Sequence, residues 1–140
     1  MTTEVTPFLA VRDAARAVEF YAAAFGAEEL ERLTAPSGAI VAELAIGEAR
    51  FSLATEAPEL GTPSPETAGA TTVRLSLHVD DPDAVQRRAV EAGAVEMFPV
   101  ADQPYGWRQG RVVDPFGHHW LVGRRLQERK RAAYAALFRR

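Results

Sequence analysis

At 140 residues, 47% of them hydrophobic and with a formal net charge of −3, the chain is long enough for one domain that buries about two-thirds of its unfolded surface. The absence of cysteine excludes disulfides, thiol catalysis and thiolate metal sites. No apolar run approaches the roughly 18 residues that would span a bilayer, and Met1-Thr2-Thr3-Glu4 has neither the basic nor the apolar region of a signal peptide, so a cytoplasmic protein is expected.

The first predicted element is a short apolar strand over 5–11. Asp13 then caps a helix whose Val18, Tyr21 and Phe25 share one face at i, i+3 and i+7, and Gly26 ends it. Strands are predicted over 28–33, 39–46 and 49–55, with turns at Pro36-Ser37-Gly38 and Gly47-Glu48. Residues 56–70, with Pro58, Pro63 and Pro65 in a polar setting, read as a linker.

The plan then repeats. A strand over 73–79 is followed by Asp81 as a cap, Pro82 at the first helical position, and a stripe of Val85, Ala89 and Ala92 before Gly93. Strands follow over 95–100, 107–113 and 118–123. The duplication is visible in the residues: Ala17-Val18 and Gly26-Ala27 recur as Ala84-Val85 and Gly93-Ala94 at an offset of 67, and Val11-Arg12-Asp13 is answered by Val79-Asp80-Asp81. The expected organisation is therefore one domain of two βαβββ modules over 1–124, the modules at 4–55 and 71–124, joined by the linker. Residues 125–140 are expected to form a basic amphipathic helix with Leu126, Ala133, Tyr134, Leu137 and Phe138 on one face.

The charge is unevenly spread. Residues 124–140 hold seven basic groups and one acid, a net of +6, which leaves nine basic and eighteen acidic residues, or −9, for the rest. An acidic body disfavours nucleic-acid binding. The basic helix is expected to dock its apolar side on that body or on a partner subunit, so neither a nucleic-acid nor a membrane partner is expected.

The stretch Asp114-Pro115-Phe116-Gly117-His118-His119-Trp120, together with Val11-Arg12-Asp13, Phe20-Tyr21 and Phe25-Gly26, resembles the glyoxalase/bleomycin-resistance/dioxygenase group, the vicinal oxygen chelate superfamily. The resemblance covers about residues 5–124. It implies an α+β fold in which two βαβββ modules form curved antiparallel sheets, and a homodimer with small-molecule clefts lined by the concave sheet faces. In metal-dependent members of that group the ligands are a His on the first strand, a Glu on the fourth, a His or Glu on the fifth and a Glu on the eighth. Those positions fall here on Thr6, Ser52, Arg74 and Leu121. Hydroxyls are weak ligands, leucine offers no donor atom and a guanidinium repels the ion, so neither a metal nor another cofactor is expected.

Alternation along Arg74-Leu75-Ser76-Leu77-His78-Val79 turns Leu75, Leu77 and Val79 towards the helix and Arg74, Ser76 and His78 towards the cleft. Arg74 is read either as the anchor of an anionic ligand group or as half of a structural ion pair, with Glu43 as the candidate partner; Arg50 has the same two readings. Of the adjacent His118 and His119 only one reaches the cleft, and the phase that puts Leu121 there selects His119, as a polar strand-start residue or as a catalytic base. The loop from Gln103 to Arg108 supplies Tyr105 and Trp107 for stacking on a planar ligand and Arg108 for its charge, against a purely packing role for Trp107.

The ligand-binding set expected from the sequence is therefore Arg50, Arg74, Ser76, Tyr105, Trp107, Arg108 and His119, with no catalytic residue assigned. The function expected is a metal-independent small-molecule binding protein, sequestering an antibiotic or another aromatic metabolite. The alternative is a lyase, isomerase or dioxygenase of the same fold with a non-standard or metal-free site.

Overall fold

The computed structural model describes residues 1–127, 132–133 and 135–137. They divide into two compact units, Met1–Thr71 and Thr72 onwards. Each unit is a four-stranded sheet covered on one face by a helix.

In the first unit β1 (Phe8–Val11) leads into α1 (Ala14–Phe25), followed by β2 (Glu28–Thr34), β3 (Ile40–Ile46) and β4 (Ala49–Thr55), in the sheet order β1-β4-β3-β2. Asp13 caps α1 by accepting the Arg16 N–H, and Gly26 closes it at φ 69°, a left-handed conformation that costs glycine nothing. The helix runs back along the sheet, so β2 starts in the direction of β1, and two hairpins bring β4 round in that same direction. β1 and β4 therefore pair in parallel, with Phe8 opposite Ser52, whereas β2–β3 and β3–β4 are antiparallel. The antiparallel sheet expected thus carries one parallel pair, at its β1 edge.

Alternation then decides the two faces. Leu9, Val11, Ala42, Leu44, Phe51 and Leu53 are buried beneath α1, whose Tyr21 meets the Phe51 ring edge-on at 5.3 Å and stacks with Phe25 at 6.3 Å. Such pairs contribute about 0.5–1.5 kcal/mol each beyond the burial of their area. Every residue of the edge strand β2 is exposed, and its Glu28, Glu29, Glu31 and Arg32 discourage pairing with a foreign strand.

The predicted linker is itself folded. It contains a 3-10 turn at Pro58–Leu60 and the four-residue helix α2 (Pro65–Ala68), capped by the fully buried Ser64. Glu56 organises it by accepting the Ser64 N–H at 2.8 Å and the Thr67 hydroxyl at 2.9 Å, with Arg12 3.6 Å away. These contacts, the Ser64 hydrogen bond first, hold the Glu56 carboxyl below the usual carboxylate range.

The second unit repeats this order with β5 (Arg74–His78), α3 (Pro82–Ala92), β6 (Val95–Asp102), β7 (Trp107–Val113) and β8 (His119–Arg125), in the sheet order β5-β8-β7-β6. β5 and β8 are the parallel pair. Asp81 caps α3 through the Ala84 N–H and Gly93 ends it, the counterparts of Asp13 and Gly26. The buried stripe differs from the expected one: Pro82, Gln86 and Ala89 are buried, while Val85 and Ala92 are half-buried.

Asp114 knits the turn before β8. It is 4% exposed, its Oδ1 accepts the N–H groups of Phe116 and His118, and its Oδ2 accepts the Trp120 indole N–H, all at 2.9 Å. Arg125, placed by the sequence in a terminal helix, is the last residue of β8, and the buried Leu126 donates its N–H to Gly106. Half of the stretch predicted to form that helix, residues 128–131, 134 and 138–140, lies outside the described residues.

Candidate functional site

α3 lies across β6, β7 and β8 on one face of that sheet, and no second helix of eight or more residues belongs to this unit among the described residues, so the opposite face is here the open face. Leu75, Leu77, Val112, Trp120 and Val122 are buried beneath α3. The intervening residues stand on the open face in registered rows. Phe98 is opposite Arg111, Arg111 opposite Leu121, and Leu121 opposite Ser76; in the neighbouring rows His119 is opposite Arg74, and Gln109 opposite Gly123, itself opposite His78.

A cavity of about 390 Å³ opens on this face, within the size range of small-molecule sites. Its chemically distinctive walls are Arg74, Arg111, Phe98, Tyr105, Leu121 and Gln109. Tyr105 is held over the sheet because its hydroxyl donates to Gln109 Oε1 at 2.7 Å, and Gln103 Nε2 donates to the Gln109 carbonyl at 3.0 Å. Gln109 can lie low there because its neighbour Gly123 has no side chain: a Cβ at that position would come within 3.2 Å of Gln109.

The two arginines differ from their neighbour Arg108. The Arg111 guanidinium lies 5.5 Å from the Phe98 ring centroid, its Nη1 has only the Met97 sulfur at 3.7 Å, and its Nε is buried with no hydrogen-bond partner among the described residues. Arg74 has neither an ion pair nor a hydrogen bond from its side chain among the described residues. Among the described residues no acidic side chain lines the cavity.

Of the residues expected to bind ligand, Arg74 and Tyr105 line this cavity. Ser76, Trp107 and His119 share the open face without lining the cavity: Ser76 is hydrogen-bonded to His78 at 3.3 Å, and Trp107 has the His78 ring 4.6 Å away at a tilt of 46° and the Arg125 guanidinium 5.2 Å from its ring centroid. Arg50 belongs to the first unit and is paired with Glu43 at 3.0 Å, the ion pair considered for Arg74.

Arg108 is a correction. It follows Trp107 on a strand and so faces the other way, under α3. There it forms a two-pronged bridge to Asp83 at 2.8 Å and a third bond to Asp102 at 3.1 Å. The hydrogen bonds to Asp83 and then Asp102 hold its guanidinium protonated more firmly still, and the Arg108 hydrogen bonds depress the Asp83 carboxyl. Arg111, two positions further on than Gln109, was missed; its signal was the same odd-numbered phase that assigns Leu121 to the open face.

The matching family model is that of the Glyoxalase/Bleomycin resistance protein/Dioxygenase superfamily, and it spans residues 4–122. The chain belongs to this superfamily. An uncharacterized protein of Mycobacterium bovis, Mb0911c, is 40% identical over 128 residues, 89% of this chain and 84% of its own length. Two solved structures are each 30% identical with a TM-score of 0.68: the Arabidopsis thaliana gene product At5g48480, over 86% of this chain and 98% of that one, and TioX from Micromonospora sp. ML1, over 87% and 95%.

Some members of the superfamily hold a metal, and the residues here do not fit one. Of the four positions that the resemblance assigns to the ligands, Thr6 and Ser52 offer only hydroxyls, Leu121 offers no donor, and Arg74 is a fixed cation. Among the described residues no group of three or more His, Asp or Glu side chains is arranged to hold a metal ion.

Proposed function

We propose that this superfamily member is a metal-independent small-molecule binding protein that holds an antibiotic or another aromatic metabolite on the open face of its second sheet. The observation that supports this best is the cavity itself: aromatic and apolar walls from Phe98, Tyr105 and Leu121 beside Arg111, whose Nε has no hydrogen-bond partner among the described residues. That combination suits a ligand with a flat apolar body and a hydrogen-bonding edge. We also propose a cytoplasmic homodimer; among the described residues no helix is long and apolar enough to cross a membrane.

The test is titration of intrinsic tryptophan fluorescence with a panel of planar aromatic compounds, with and without EDTA, on protein purified without chelator. Saturable binding unaffected by EDTA is expected, with no stoichiometric divalent ion by elemental analysis. Thermal melts with added zinc, nickel or manganese should be unchanged. A ligand binding only the native state at a hundredfold excess over Kd adds about 2.7 kcal/mol; a saturable metal effect of that order, lost in Ser52→Ala, would overturn metal independence.

A further inference from the structure

We infer that the cavity on the open face of the second sheet selects an anion, specifically a planar aromatic carboxylate, with Arg74 and Arg111 as its recognition groups. This rests on reading that cavity as a ligand site. Among the described residues the cavity walls contain two guanidinium groups and no carboxylate, in a chain that carries more acidic than basic residues overall. A third arginine, Arg108, on the strand that carries Arg111, shows what this sequence does with an arginine that serves the fold: it is given two carboxylates. Arg74 and Arg111 have none among the described residues.

Leaving a buried guanidinium nitrogen such as Arg111 Nε without an acceptor is costly. A ligand carboxylate removes that cost, because its two oxygens match the planar fork of a guanidinium. The other walls define the rest of the molecule. Phe98 lies beneath the Arg111 guanidinium, so a ring extending from the carboxylate has Phe98, Leu121 and Tyr105 to pack against.

The acidic remainder of the chain attracts cations at long range, but that field is screened over about 8 Å at physiological ionic strength, whereas a carboxylate on Arg74 or Arg111 is in direct contact. The contact therefore decides the preference. Gln109 adds a neutral amide edge: its Oε1 already accepts from Tyr105, and its Nε2 is an uncharged donor, which holds an acceptor less strongly than a guanidinium does.

The experiment is calorimetric titration of the full chain with 2-naphthoate, its neutral analogue 2-naphthamide and the planar cation N-methylquinolinium. Naphthoate should bind saturably and about tenfold or more tighter than either of the others, the discrimination expected of a charge-assisted contact. Arg74→Met and Arg111→Met should each weaken naphthoate binding by about tenfold and bring the ratio of naphthoate to naphthamide affinity towards one. The wild-type comparison needs no variant, so a folding defect in Arg111→Met does not spoil it. Binding of naphthamide or N-methylquinolinium as tight as that of naphthoate overturns the anion selectivity and leaves the binding function standing. No saturable binding of any of the three overturns both.

Discussion

Gln86 is where a single residue departs most from the periodic pattern around it. It is 3% exposed on a helix face otherwise built from small apolar groups, and it donates from Nε2 to the Phe98 carbonyl at 2.8 Å. The space for its amide comes from Gly110 on β7: a Cβ there would lie 2.5 Å from Gln86 Oε1 and 2.6 Å from Nε2. Gly110→Ala should displace the amide and break its bond to Phe98, destabilising the protein by about 1–3 kcal/mol in urea unfolding. Gln86→Ala should make Gly110→Ala nearly neutral, a non-additivity that separates this clash from a general strand effect. At Asp114 three donors converge on one buried carboxylate. Asp114→Ala should cost about 3–4 kcal/mol and shift the emission of Trp120, whose indole N–H it holds.

The elements are fastened to one another by side chains that their own periodicity does not reveal. Arg108 on β7 clamps Asp83 in the first turn of α3 and Asp102 at the end of β6, so three elements meet in one charged knot. Because the native Asp83 carboxyl is depressed by Arg108, the unfolded chain binds its proton more readily than the folded one. The resulting stabilisation is present above the ordinary carboxylate value and is lost as the pH falls through the depressed native value. The Ser64–Thr67–Glu56 cluster behaves in the same sense. Wild type should therefore lose stability between neutral pH and about pH 3, and Asp83→Asn should flatten that acid limb, read as the difference in urea midpoint at the two pH values. An equally steep limb in Asp83→Asn would remove the clamp from the account of acid sensitivity.

On the scale of the whole molecule, both units leave large apolar side chains uncovered. Phe8, Leu33 and Val41 in the first, and Val95, Met97 and Phe98 in the second, are exposed. Apolar surface of this kind is commonly covered by association, most often between like copies about a two-fold axis. Sedimentation equilibrium at tens of micromolar should give twice the chain mass of 15.2 kDa, and a single-chain mass at that concentration would sink the dimer. Phe8→Glu should shift the equilibrium towards the monomer, since a charge placed on a covered face must be desolvated.

The duplication, both helix caps and the glycine stops were legible in the sequence because they rest on local chemistry: a side-chain oxygen three residues before a free N–H, a left-handed backbone, a two-residue or 3.6-residue period. The same alternation that placed Arg74 and Leu121 on the open face also held the answer for Arg111. It was obscured where Trp107 and Arg108, adjacent on one strand, were both assigned to the cleft. Other features had no local signal. Residues 56–70 look like a linker because their composition is that of a loop, and only the fold brings Ser64 and Thr67 to Glu56. The burial of Gln86 depends on a glycine 24 positions away in the chain, and the fate of each arginine depends on which carboxylates the sheet register and helix packing bring within reach. Chain-local rules specified the modules by themselves. Which charges remained for a ligand was decided by tertiary structure, because an ion pair is a property of distances between elements.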